Sequence, residues 1–216
     1  MRSDSGELRA SLPSGGEAAA LWEDDAAVAR VRRALPERLP EEVRRHSLGV
    51  AETAARLAAR HGVAPERAYL AGLVHDLAKP LPGEELLRVA VASGIMADEI
   101  QFHAPYLLHG PVGAVMAQRE FGLDDPELLR AVANHTTGVP GMGDLELVVY
   151  LADAVEPGRR YAGVEQLREA AQGDLDEAVL AAVAQTLDSL TRRRMLIHPH
   201  TVETWNWLLL TRRRGR

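Results

Sequence analysis

Between Pro40 and His61, Val43, Val50, Ala54 and Leu57 fall on one stripe of a helical period, with Arg44, Arg45, Glu52, Arg56 and Arg60 opposite. Gly62 follows as a left-handed cap. The next pattern opens with Pro65 in its first turn and runs to about Ala78, where Pro80 and Pro82 stop it. It carries no charge from Ala68 to His75, which predicts burial on all sides. Further helices are expected at about 83–93, 111–121, 126–137, 144–155, 174–194 and 200–213. Asp125, Pro126 and Glu127 give the helix at 126 its cap, its first residue and a charge favourable to the dipole. The run LELVVYLADAV has the β-branched residues of a strand, but its length, its Leu and Ala content and its helical neighbours favour a helix. No hairpin turn separates alternating runs, and no repeat is found. The expected fold is all-α, a single helical bundle over residues 21–216 with short connections. Residues 1–20, rich in Ser, Gly and charge, read as a flexible tail.

With 216 residues, 46% of them hydrophobic and 26% charged, the chain suits one soluble globular domain. It has no Cys, so disulfides and thiolate metal sites are excluded, and any metal must sit on His and carboxylates. No signal peptide is evident, and no apolar run is long enough to span a membrane, which makes the cytoplasm the expected location. The net charge of −6 argues against a general nucleic-acid binder. A small anionic substrate is still allowed, because a bound cation inverts the local field. Of the 25 basic residues a single one is Lys, Lys79, three positions after Asp76.

Several polar residues occupy positions that should be buried. His46 lies on the stripe of Val50 and Leu57, and His135 on that of Leu128 and Val132. His75 and Asp76 end an otherwise uncharged helix, and Asp153 interrupts an apolar run. A lone His on such a face is ordinarily a hydrogen-bonded core residue. A buried Asp is harder to dismiss, because an unpaired carboxylate in the interior is costly. Asp76 is placed in the last turn of its helix, where the dipole disfavours an anion, so a cation must compensate it. Lys79 and a metal shared with His75 both qualify. Four imidazoles and two carboxylates facing one interior would hold two divalent ions with open positions for water and substrate. A shell rich in His favours iron, manganese, zinc or nickel over magnesium or calcium.

The order His46, His75–Asp76, Asp153 resembles the HD phosphohydrolase superfamily, and His109 and His135 look like its two-metal branch. The blocks RRHSLGVAETA, AGLVHDLAK, LLHGPVGA, NHTTG, YLADAVEPGR and LIHPHT resemble, in that order, the YqeK family of bacterial symmetrical bis(5'-nucleosyl)-tetraphosphatases. The resemblance implies an HD-type domain with a di-iron centre. It also implies cleavage of diadenosine tetraphosphate into two ADP by a metal-activated hydroxide. Carried over, the first ion takes His46, His75, Asp76 and Asp153, and the second takes Asp76, His109 and His135. Asp76 and Lys79 become the catalytic pair. Lys79, His109, Thr136, Arg159, His198 and Thr201 become substrate contacts, with Lys79 and Arg159 on phosphates and His198, Pro199 and Thr201 walling the nucleoside. His200 stands where the family would have an acidic residue, which puts only nucleoside contacts in doubt. His103 is expected outside the ligand set, and Arg192–Arg194 and Arg212–Arg214 as solvated helix ends. Three other readings stay open: an HD phosphohydrolase acting on nucleoside mono-, di- or triphosphates, a nucleotide-sensing module without turnover, and a helical scaffold with core histidines. The expected partner is a small nucleotide, with neither nucleic acid nor membrane; a homodimer is compatible with the sequence.

Overall fold

The computed structural model describes residues 25–212, so the tail expected over residues 1–20 lies outside the described residues, as do Arg213 and Arg214. The described residues form helices with no strand. They are α1 (Ala26–Arg38), α2 (Glu41–His61), α3 (Pro65–Val74), α4 (Gly83–Ala92), α5 (Glu99–His103), a 3-10 turn (Pro105–Leu108), α6 (His109–Phe121), α7 (Pro126–Asn134), α8 (Asp144–Val155), α9 (Val164–Ala170), α10 (Leu175–Arg192) and α11 (Pro199–Arg212). None of them is long and apolar enough to cross a membrane.

The run LELVVYLADAV is a helix, and α8 is the centre of the molecule. Residues from Leu145 to Ala152 are all buried, because α2, α7 and α10 pack around it. Each fully buried Leu or Val there contributes about 1.5–3 kcal/mol of transfer free energy. The stripe of α2 packs against α3 and α8, and α7 bridges α6 and α8. Leu86, Ala90, Leu108, Val112 and Ala78 form a smaller apolar cluster under α4 and the 3-10 turn.

Two glycines set how closely the helices approach. A Cβ on Gly72 of α3 would lie 2.5 Å from Ala51 Cα of α2, and one on Gly110 of α6 would lie 2.6 Å from the carbonyl oxygen of Ala133 in α7. Neither contact leaves room for any side chain. Each glycine is near a histidine of interest, Gly72 three residues before His75 and Gly110 directly after His109.

Local signals govern the helix ends. Asp125 Oδ1 accepts from the amides of Glu127 and Leu128 at 3.0 and 3.3 Å, and Gly62 caps α2 at φ 73°. Arg67 also grips Asp125, at 2.7 and 2.8 Å, tying the start of α3 to that of α7. Two helices stop earlier than the sequence suggests. α3 ends at Val74 rather than about Ala78, and α7 at Asn134 rather than about 137. Pro80 can neither donate to the carbonyl of Asp76 nor fit its ring beside it in an α-helix. The chain therefore tightens, with Leu77, Lys79 and Leu81 each donating to the carbonyl three residues back. Asp76 consequently lies two residues beyond the helix rather than in its last turn. After α7, Gly138 at φ 67° closes a turn by donating to Asn134 O at 2.8 Å.

Candidate metal centre

These endings place the polar residues. His75 and His135 are the C-cap residues of α3 and α7, His109 opens α6, His46 lies within α2, and Asp153 lies near the end of α8. The side chains of His75 and Asp76 have no exposed surface. His75 Nδ1 donates to Gly72 O at 2.8 Å, His109 Nδ1 to Tyr106 O at 2.5 Å and His135 Nδ1 to Val132 O at 2.7 Å. A carbonyl can only accept, so each of these rings carries a proton on Nδ1, the tautomer that leaves Nε2 free to bind a metal.

All these Nε2 atoms face one another. His75 Nε2 is 3.3 Å from His46 Nε2, and His109 Nε2 is 3.1 Å from His135 Nε2. Asp76 divides its carboxylate between the two pairs. Oδ2 lies 3.5 Å from His46 Nε2 and 3.3 Å from His75 Nε2, while Oδ1 lies 3.3 Å from His109 Nε2 and 3.7 Å from His135 Nε2. Asp153 Oδ1 joins the first pair, 2.9 Å from His46 Nε2 and 3.8 Å from His75 Nε2. Asp76 Oδ1 is buried and accepts no hydrogen bond from the described residues. Lone pairs facing lone pairs and an orphaned carboxylate oxygen repel unless positive charge lies among them. The donor set fits that need. His46, His75 and Asp153 bring ligand atoms within 4.8 Å of one another, and so do His75, Asp76 and His135.

Burial alone would raise the Asp76 carboxyl, but His75, His109 and His135 hold it well below the usual carboxylate range. Asp153 is likewise held low against burial, by His46 and Arg159. Burial acts to lower the His46 imidazole, yet hydrogen bonding and attraction to Asp153 carry it above its ordinary 6.5.

The cations beside the cluster are Lys79 and Arg159. Lys79 Nζ donates to Asp76 Oδ2 at 2.7 Å with the side chain 43% exposed, so it spans from the buried carboxylate to solvent. Arg159 pairs with Asp153 Oδ1, donates from Nε to Asp153 O at 2.8 Å, and has an Nη2 3.5 Å from His46 Nε2. Thr136 Oγ1 lies 3.2 Å from His109 Nε2 and 3.1 Å from His135 Nε2. His198 and Thr201 are buried at the start of α11, where His198 Nε2 is 2.9 Å from Asp98 Oδ2 and Thr201 N donates to His198 O at 3.0 Å. These contacts do not reach the imidazole cluster. His103 is exposed on α5, and Arg192–Arg194 are exposed at the end of α10.

Three supporting residues escaped the sequence reading. Glu156 is buried, and its Oε1 accepts from His46 Nδ1 at 3.1 Å. Arg168 donates to the carbonyls of Val155, Glu156 and Arg159 at 2.9, 2.7 and 3.0 Å, fixing the turn that carries Glu156 and Arg159. Glu146 joins Arg130 and Asn134 at 2.6 and 2.8 Å, bracing the end of α7 beside His135. A Glu after an apolar run and a Glu within one are local hints. Their partners lie far along the chain.

The sign of the His46 shift is testable. Because its folded value is raised, the pair with Asp153 stabilises the metal-free protein below about pH 6.5 and fades as pH rises through that raised value. NMR titration of the metal-free protein should place His46 above 6.5, and Asp153→Asn should lower it, since the largest raising contributions are lost and only the attraction of Asp76 remains against burial and Arg159.

Residues 43–202 match the HD domain family, a span that includes all six clustered side chains. The chain is 40% identical over 164 residues to the symmetrical bis(5'-nucleosyl)-tetraphosphatase of Bacillus subtilis, covering 76% of this chain and 88% of that one. It is 32% identical over 182 residues to the protein of the same name from Staphylococcus aureus, covering 83% and 93%. The crystal structure of an HD superfamily hydrolase from Clostridium acetobutylicum, described as involved in NAD metabolism, superposes with a TM-score of 0.82 at 39% identity, over 85% of this chain and 97% of that one. Sequence and architecture agree: this chain belongs to the HD domain family, on the branch of proteins named symmetrical bis(5'-nucleosyl)-tetraphosphatases.

Proposed function

We propose that this protein hydrolyses diadenosine tetraphosphate symmetrically to two ADP at a centre of two transition-metal ions, with iron as the native metal. The observation that carries the reading is the division of the Asp76 carboxylate, one oxygen toward His46 and His75 and the other toward His109 and His135. One buried carboxylate shared by two groups of bare imidazole nitrogens suits a bridged pair of cations. His46, His75, Asp76 and Asp153 would hold one, and Asp76, His109 and His135 the other. When bound, such ions polarise phosphoryl oxygens and lower the pKa of water.

The chain's own residues do the rest. Phosphoryl transfer asks for positioning and charge stabilisation more than covalent work. Lys79 keeps one N–H on Asp76 Oδ2 and has two left for phosphate oxygens at the solvent side. A compact ammonium suits this place better than a guanidinium, whose planar fork is wider and differently hydrated. Arg159 is the second phosphate donor, oriented by its two contacts to Asp153. The Thr136 hydroxyl, which lies between His109 and His135, would contact substrate at the second group of ligands. His198 and Thr201 are assigned to the nucleoside, held at the start of α11 by the Asp98 contact. Water adds across the central P–O–P bridge, so the two halves leave as identical products.

Product analysis tests the reading. The metal-loaded protein should convert diadenosine tetraphosphate to ADP alone, and AMP with ATP would refute symmetric cleavage. Lys79→Arg should keep about the same metal content while turnover falls about 10- to 100-fold, the range expected when a positioned charge is displaced by about 1 Å. Full activity in Lys79→Arg would remove Lys79 from the phosphate site.

A further inference from the structure

Four histidines surround Asp76, and one of them is held differently. His75, His109 and His135 each donate Nδ1 to the carbonyl three residues earlier. His75 and His135 can do so because they cap α3 and α7, whose last carbonyls have no helical partner, while His109 shares the Tyr106 carbonyl of the 3-10 turn with its own amide. His46 lies inside α2, whose carbonyls are occupied. Its Nδ1 reaches instead to Glu156 Oε1 at 3.1 Å, from a residue 110 positions away.

The Glu156 carboxylate has a built seat. It is buried, and Oε2 accepts from the amide of Gly158. A Cβ on Gly49, one helical turn after His46, would lie 2.8 Å from Oε2, and a Cβ on Gly158 would lie 2.8 Å from Oε1 and 2.9 Å from Oε2. Both glycines thus open the space that the carboxylate fills. Arg168 fixes the backbone beneath it by donating to the carbonyls of Val155 and Glu156.

We propose that Glu156 is a positioning residue that, through His46, strengthens one of the two cation sites selectively. A carboxylate on Nδ1 fixes the tautomer and ring orientation of a ligating imidazole and makes Nε2 a stronger donor than a neutral carbonyl does. Among the described residues the Glu156 side chain hydrogen-bonds His46 and the Gly158 amide but neither Asp76 nor the ligands of the other group, so the two sites become unequal: the one formed by His46, His75, Asp76 and Asp153 is the tighter. This inference rests on the two-ion reading above. Glutamine cannot replace Glu156 fully. If its oxygen accepts from His46, its amide nitrogen meets the Gly158 N–H, donor against donor.

The test is a titration of the metal-free full chain with manganese(II), following the free ion by electron paramagnetic resonance, with thermal unfolding of the metal-free proteins alongside. Wild type should show two dissociation constants. Glu156→Gln should weaken the tighter one about 10- to 100-fold and leave the other within about 2-fold. Gly49→Ala should act in the same direction by pushing the carboxylate off His46. Its metal-free melting temperature should not fall, because Ala is the better helix former. Unchanged constants, or both weakened alike, in either variant would overturn the proposal, as would loss of affinity that tracks a lowered melting temperature in both. A wild type that binds no pair of ions would instead refute the two-ion centre itself, which keeps the two failures apart.

Discussion

The carboxylate of Asp76 has no exposed surface, yet its environment keeps it ionised. A charge in the interior without a partner costs several kcal/mol, so the structure around it must supply positive charge or fail. Lys79 supplies one such charge to Oδ2 only. Oδ1 faces His109 and His135, which together with His75 hold the carboxyl low against its burial. The arrangement of α3, α6 and α7 around Asp76 therefore gathers imidazole and carboxylate donors on which metal ions could sit.

The helices achieve this by ending early. His75 and His135 cap α3 and α7, and the turns after them aim Asp76 and the imidazoles inward instead of along a helix face. Free carbonyls at those ends fix the rings, and Gly72 and Gly110 let the helices approach until the rings meet. Stability and site assembly are thus the same packing problem. The long apolar helix α8 serves both, filling the core with residues 145–152 and delivering Asp153 and Glu156 at its C-terminal end.

Much of this was legible in the sequence. The stripe of α2, the buried run of α8 and the caps at Gly62 and Asp125 are local patterns, and polar residues set into apolar stripes marked the cluster. What stayed hidden depends on contacts between distant segments. Pro80 announced a stop, but the tightened turn that places Asp76 past the end of α3 becomes clear only with the backbone in view. α5 and α9, short and weakly patterned, carried too little periodicity to read. The EPGR segment points to Arg159 by its charge, but nothing near Glu156 indicates a histidine 110 residues away. Arg159 itself rests on Asp153, a pairing that spacing alone did not suggest.

The central claim is that one buried carboxylate joins two cations. A crystal structure of the metal-loaded protein, with anomalous scattering to locate the ions, tests it most directly. Two ions about 3.5–4 Å apart, each touched by a different oxygen of Asp76, are expected. A single ion, or a pair with Asp76 bound to only one member, would contradict the account.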